Sequence, residues 1–242
     1  MLRGMYIEWR RVPDKDVHPF DIPAVRDIEN LDLSAPVTVF VGENGMGKST
    51  VLEAIATQLG CNPEGGSRNF HFETANTLSD LRNFTRLVRD RAIRDAYFYR
   101  ADTYHNLATE MRRLDAEDGF DPPIKSYYGG GDLHEMSHGQ SVVRLLSHRF
   151  KPRGVYVMDE PEAALSPRRQ LEAMAAISDL TANGAQFILA THSPILMAIP
   201  RARIYELDER RTMEADYESL EHVRIYRRFL SDPASILERL LD

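Results

Sequence analysis

The sequence predicts an α/β fold, a mainly parallel sheet flanked by helices, and three observations carry that expectation. First, "VTVFV" (37–41), "VYVM" (155–158) and "QFILA" (186–190) are short β-branched and apolar runs, the composition of strands covered on both faces. Second, segments with apolar residues at helical spacing alternate with these runs, and such alternation builds a parallel sheet with helices on both sides. Third, a glycine-rich stretch, "GENGMGKST" (42–50), joins the first of these strands directly to a helix.

At 242 residues the chain can bury one substantial core, and we expect 1–242 to form a single domain with a small N-terminal β part and a helical insert at about 74–135. In chain order, 5–8 and 37–41 read as strands, and Ser49 to Leu59 reads as a helix with Val51, Leu52, Ile55, Ala56 and Leu59 on one face. Pro63, Gly65 and Gly66 then mark a loop. Residues 77–95 read as a charged helix, "AYFY" (96–99) as a strand and 103–114 as a helix. "DAEDGFDPPIKSYYGGGD" has the glycine and proline content of a loop. A helix (139–149), a strand (155–158), a helix (167–183), two strands (186–190 and 203–207) and a helical tail complete the chain, without an internal repeat or a sustained heptad pattern.

Hydrophobic content of 43% and charged content of 28% are ordinary for a soluble globular protein. The net charge of −7, from 30 basic and 37 acidic residues, disfavours a general nucleic-acid coat but leaves room for a local basic patch. Cys61 is the only cysteine, so no intramolecular disulfide can form and a reducing compartment is expected; the residue reads as a small apolar filler. "MLRGMYIEWRRVPD" lacks the apolar segment of a secretion signal, and no window approaches the roughly 18 apolar residues of a membrane span. A cytoplasmic protein is expected, with no membrane segment of its own.

"GENGMGKST" matches G-x-x-x-x-G-K-[ST] between strand and helix, the context that motif requires. Gly42, Gly45 and Gly47 let the backbone curl, so that amides along Glu43, Asn44 and Met46 point inward at phosphate oxygens. The helix starting near Lys48 adds a partial positive charge of about half a unit at its N-terminus. Lys48 would reach the terminal phosphates, and the Ser49 hydroxyl, ahead of Thr50, would ligate Mg2+.

"GVYVMDEPEAALSP" runs a strand into two carboxylates. Asp159 would hold Mg2+ through water, and Glu160 would orient or deprotonate an attacking water, since ligands of parallel sheets collect at the carboxyl ends of the strands. Alone, the pair could also be a helix N-cap followed by first-turn acids. "FILATHSPIL" is another buried strand, ending in Thr191, His192 and Ser193, and puts His192 at the same edge as Asp159 and Glu160, within reach of the terminal phosphate or the water.

Taken with "MSHGQ" (136–140), these segments resemble, in order and spacing, the Walker A, signature, Walker B and switch-histidine motifs of the ABC-type ATPases, a superfamily that includes transporter nucleotide-binding domains and SMC- and RecF-like DNA-maintenance ATPases. More narrowly, "GENGMGKST", "NPEGGSRNF", "SHGQS" and "DEPEAALSP" look like small bacterial AAA/RecF-like ATPases. The resemblance implies ATP and Mg2+, catalytic roles for Glu160, His192 and Lys48, and a homodimer in which each signature caps the partner's nucleotide. It would bring Ser137, Gly139 and Gln140 to the other subunit's terminal phosphate; the residues alone allow Ser137 to be a simple helix cap.

Departures narrow the resemblance. Met136 and His138 replace the usual Leu and first Gly of the signature, Ser166–Pro167 stands where transporters carry an Asp, and no Gln lies between 59 and 139, which leaves Arg100 or Asp102 for that position. Arg82, Arg86, Arg89, Arg91 and Arg94 could track phosphates but interleave with Asp80, Asp90 and Asp95, as on a solvated helix. Tyr6, Trp9 and Phe20 are candidates to stack on the base or to fill the core. The expected function is therefore MgATP hydrolysis that drives a partner, either DNA or a nuclease or other effector in maintenance or defence. The alternatives are a transporter's nucleotide-binding subunit, a P-loop kinase, or a binding switch that turns over slowly.

Overall fold

The computed structural model describes residues 1–67, 79–103 and 138–241, with Thr109, Arg113, Asp115 and Ser126 as isolated positions between them. Among the described residues ten strands are formed: β1 (Leu2–Ile7), β2 (Asn30–Asp32), β3 (Val37–Val41), β4 (Gly66–Ser67), β5 (Thr85–Arg89), β6 (Ala96–Arg100), β7 (Val155–Asp159), β8 (Gln186–Ala190), β9 (Ala202–Leu207) and β10 (Thr212–Ala215). The described helices are α1 (Pro23–Arg26), α2 (Lys48–Gln58), α3 (Leu81–Phe84), α4 (His138–Arg144), α5 (Pro167–Ala182), α6 (Pro194–Met197), α7 (Glu221–Ser231) and α8 (Pro233–Leu241).

The main sheet has seven strands in the order β10-β9-β3-β8-β7-β6-β4. Its five central strands are parallel, and β10 and β4 close the two edges in antiparallel pairing. Alternate side chains explain the unbroken apolar runs. Val37, Val39, Tyr97, Tyr156, Met158 and Phe187 face a core completed by Val142, Leu145, Ala173 and Ile177 of the helical side. Phe40, Phe98, Val155, Val157 and Ile188 face a second core with Val51, Leu52 and Ile55 of α2 and Met5 and Ile7 of β1. A strand covered on both faces has no position at which a polar residue is favoured.

The second sheet, β2-β1-β5, is antiparallel and forms the N-terminal β part. It overturns the charged helix expected over 77–95: among the described residues there only Leu81–Phe84 is helical, and Thr85–Arg89 pairs with β1 from Leu2↔Arg89 to Ile7↔Thr85. Backbone partners some eighty positions upstream override local helix propensity, as tertiary pairing commonly does. Arg86 reaches Glu8 at 2.7 Å across the strand pair, and the Arg89 guanidinium donates to the Gln58 carbonyl at 2.6 Å, so these arginines serve packing rather than a helical face. Strand β10 was also absent from the sequence expectation. Most of the segment at 74–135 and of the helix expected at 103–114 lies outside the described residues.

Candidate functional site

The carboxyl ends of β3, β7 and β8 converge. Asp159 is in register with Ala190 on one side and Arg100 on the other, and Phe40 is in register with Ala190. The loop after β3 curls tightly: Lys48 is 5% exposed, and its ammonium donates to the carbonyls of Gly42 and Glu43 at 2.8 and 2.9 Å. Gly47, the cap of α2, has φ +91°, and a β-carbon there would come within 2.7 Å of Val25 on α1. Gly42, at φ +141°, passes so close to the Leu207 carbonyl oxygen that no side chain fits. Burial pulls the Lys48 amine below its ordinary range, while Glu160, Asp159 and Glu43 oppose that pull.

Ser49 and Asp159, from α2 and β7, meet where the Ser49 hydroxyl donates to Asp159 Oδ1 at 3.2 Å. Burial pushes the Asp159 carboxyl up to about 6, against the Ser49 hydrogen bond and the charge of Arg100. Two hard oxygen donors, one an undercompensated carboxylate, fit Mg2+, which keeps several waters and takes the rest of its shell from substrate phosphates. Among the described residues no group of three or more His, Cys, Asp or Glu is gathered as a metal cage; a site of this kind requires none. Arg100 bridges Glu53 at 3.2 Å and Asp102 at 3.1 Å, so the two residues expected at the missing-glutamine position pair with each other at the edge of the site.

Glu160 occupies the left-handed region (φ 49°, ψ 50°), and its amide donates to the Ala190 carbonyl at 3.0 Å. A non-glycine residue there costs about 1–2 kcal/mol, and the β7–β8 junction holds it in place. Its Oε1 lies 3.8 Å from His192 Nε2, a buried nitrogen without a hydrogen-bond partner. Burial first, then the Lys48 charge, lowers the imidazole pKa and favours the neutral ring. Ser193 caps α6 and donates to Gln170 Oε1 at 2.5 Å, while Gln170 donates to the Leu165 carbonyl at 2.9 Å; α5 thereby braces the His192 loop against the turn after Glu160.

Two residues of this site were not anticipated. Glu162 is half-buried, its carboxyl pKa raised by desolvation, and it accepts from the His192 amide at 2.5 Å. The run "DEPE" held that signal, because it puts a third acid just past the strand end. His222, at the start of α7, places its ring 5.6 Å from that of His192 and its Nε2 3.6 Å from Glu43 Oε1. No local pattern marked it.

Ser137 lies outside the described residues. Gly139 is buried, and a β-carbon there would run into the Ala164 carbonyl oxygen, so α4 approaches the turn after Glu160 as only glycine allows. Gln140 is exposed on α4. Ser166 caps α5 by accepting from the Arg169 amide. Phe20 is a buried core residue, edge-on to Trp9 and Phe84, while Trp9 is half-buried against that core and its indole donates to the Ile28 carbonyl at 2.8 Å; Tyr6 is exposed. No described helix is long and apolar enough to cross a membrane.

This sheet, loop and strand-end arrangement defines an ABC-type P-loop ATPase. The chain belongs to the family described as "AAA domain, putative AbiEii toxin, Type IV TA system", whose model matches residues 72–198, more than half of its length; a second "AAA domain" model matches 15–113. It is 31% identical over 174 residues to the cytochrome c biogenesis ATP-binding export protein CcmA of Rhodopseudomonas palustris, covering 82% of that protein. It is 28% identical over 145 residues to Protein Pixie of Drosophila melanogaster, but spans only 21% of that protein's length. In fold it is similar to an ATP-binding cassette of an ABC transporter in its ADP conformation, with a TM-score of 0.50 at 17% identity over 83% of this chain and 91% of the other.

Proposed function

We propose that the chain hydrolyses MgATP in a nucleotide-sandwich dimer and uses the cycle to drive a partner in DNA maintenance or defence. The observation that carries this reading is the Ser49–Asp159 contact at the mouth of the curled loop, with Glu160 and His192 next to it. The amides of Gly42 to Thr50 and the Lys48 ammonium bind the phosphates. Ser49 and Asp159 hold Mg2+, which when bound neutralises charge developing on the phosphate oxygens. Glu160 accepts the proton of the attacking water as its oxygen bonds to the terminal phosphorus and the bond to the ADP oxygen breaks. His192 holds that phosphate or the water through its free Nε2. Ser137, Gly139 and Gln140 complete the partner's site across the dimer.

Glu160→Gln tests the reading: it should slow turnover by about 10²–10⁴-fold and leave ATP bound in a trapped dimer. A variant that stays monomeric by light scattering in saturating MgATP overturns the composite site. A second reading, the nucleotide-binding subunit of a transporter, is favoured by the likeness to an export protein. Co-purification of a membrane subunit with the Glu160→Gln chain would establish it; Ser166–Pro167 and the missing Gln count against it.

A further inference from the structure

At the opposite edge of the main sheet, where β3, β6, β7 and β8 begin, lies an open cavity of about 730 Å3. Its lining includes Arg3, Arg91, Arg94 and Arg153 against two acids, Asp90 and Asp95. Both acids are already engaged. Asp90 pairs with Arg3 at 2.6 Å and Arg91 at 3.6 Å, and Asp95 is held by both terminal nitrogens of Arg149 at 2.9 and 3.0 Å and by the Tyr156 hydroxyl at 2.9 Å. Arg94 and Arg153 are exposed and have no ion-pair partner among the described residues. With Asp95 neutralised by Arg149, four guanidinium groups face one carboxylate, in a chain whose net charge is −7.

Arg153 adds an independent sign. It holds a left-handed backbone, φ 65°, in the turn before β7, and its stem passes 3.5 Å from where a β-carbon on Gly184 would stand. Glycine would fill that conformation without strain, so an arginine there lines the cleft at the expense of its backbone. Gln186, at the floor, is already engaged: it uses its amide on Leu2 and on the Leu33 and Ala35 carbonyls.

We infer that this cleft binds the phosphate backbone of a nucleic acid, with Arg94 and Arg153 as its free contacts and Arg3 and Arg91 as contacts shared with Asp90. A small phosphorylated ligand is held by enclosure, with most of its surface buried. Exposed guanidinium groups distributed around an open cleft suit phosphates spaced along a chain, where each contact releases a counterion. The inference deepens the DNA-partner reading above, but none of these residues belongs to the nucleotide site.

The test is fluorescence anisotropy of the full chain with a short labelled single strand, and with the matching duplex, in low salt and without nucleotide. The absence of ATP separates failure here from failure of the ATPase reading. Binding is expected to weaken steeply with salt. Arg94→Glu/Arg153→Glu should weaken it at least about tenfold and flatten the log–log salt slope by about 1.5–2, while Arg94→Lys/Arg153→Lys should stay within about threefold of wild type. Unchanged thermal midpoints in both variants confirm that only the cleft was altered; if the charge reversal unfolds the chain, the salt slope of Arg94→Gln/Arg153→Gln decides in the same way. No binding by the wild type, or unchanged binding by the reversed variant, overturns the inference. So does displacement of the strand by inorganic pyrophosphate at equal phosphate concentration, which would make the cleft a small-anion site.

Discussion

The Ser49 hydroxyl donates to the Asp159 carboxylate at 3.2 Å, closing the end of β7 onto the first turn of α2. Asp159 is buried, and desolvation outweighs the Ser49 hydrogen bond and the Arg100 charge, so its pKa is pushed up from 3.8 to about 6. The folded chain therefore binds this proton more tightly than the unfolded chain does. Stability from this group is fully present below pH about 4 and is lost as pH rises through about 6.

Asp159→Asn should remove that loss. In nucleotide-free protein the variant should match wild type near pH 4 and exceed it by up to about 2–3 kcal/mol near pH 8, by urea denaturation. MgATP should then stabilise the wild type far more than the variant. A stability difference independent of pH would show that the carboxylate carries no such penalty.

The backbone of Glu160 separates strain from chemistry. Glu160→Gly should relax the left-handed position and raise stability by about 0.5–1 kcal/mol, the gain being partly offset by glycine's greater unfolded entropy, while abolishing turnover. Glu160→Gln should lose turnover without the thermal gain. Equal melting temperatures for the two variants would mean that the β7–β8 junction does not strain this residue.

Gly139→Ala places a methyl group against the Ala164 carbonyl oxygen. Either α4 or the turn after Glu160 must shift, so a loss of about 1–3 kcal/mol is expected, measured by thermal or urea unfolding. A fall in kcat should accompany it, because that turn carries Glu160. A neutral substitution would show that α4 is free to withdraw.

Tyr156 anchors the far edge of the sheet: its hydroxyl accepts from the Lys151 amide at 2.6 Å and lies 2.9 Å from Asp95 Oδ2. Burial raises its pKa, so the phenol stays protonated across the working range. Tyr156→Phe should cost about 1–2 kcal/mol, mainly by stranding the Lys151 amide, with no effect on turnover. Denaturation and steady-state rates measured together would check it.

By itself, the sequence determined the parts of this protein written in contiguous residues. Strands covered on both faces announce themselves by unbroken apolar runs, and a loop that must curl around phosphates needs its glycines and lysine at fixed spacing. Those signals located β3, β6, β7 and β8, the start of α2, and the row Lys48, Ser49, Asp159, Glu160 and His192. Tertiary structure alone decided what depends on distant partners. Residues 85–89 pair as a strand because β1 supplies their hydrogen bonds, despite the charge pattern of a helix. His222 reaches Glu43 and the His192 ring only because α7 packs back near the loop after β3. The basic cleft likewise gathers Arg3, Arg94 and Arg153 from three separate chain segments. Local propensity is weak against such pairings, and charge is not confined to neighbours in sequence.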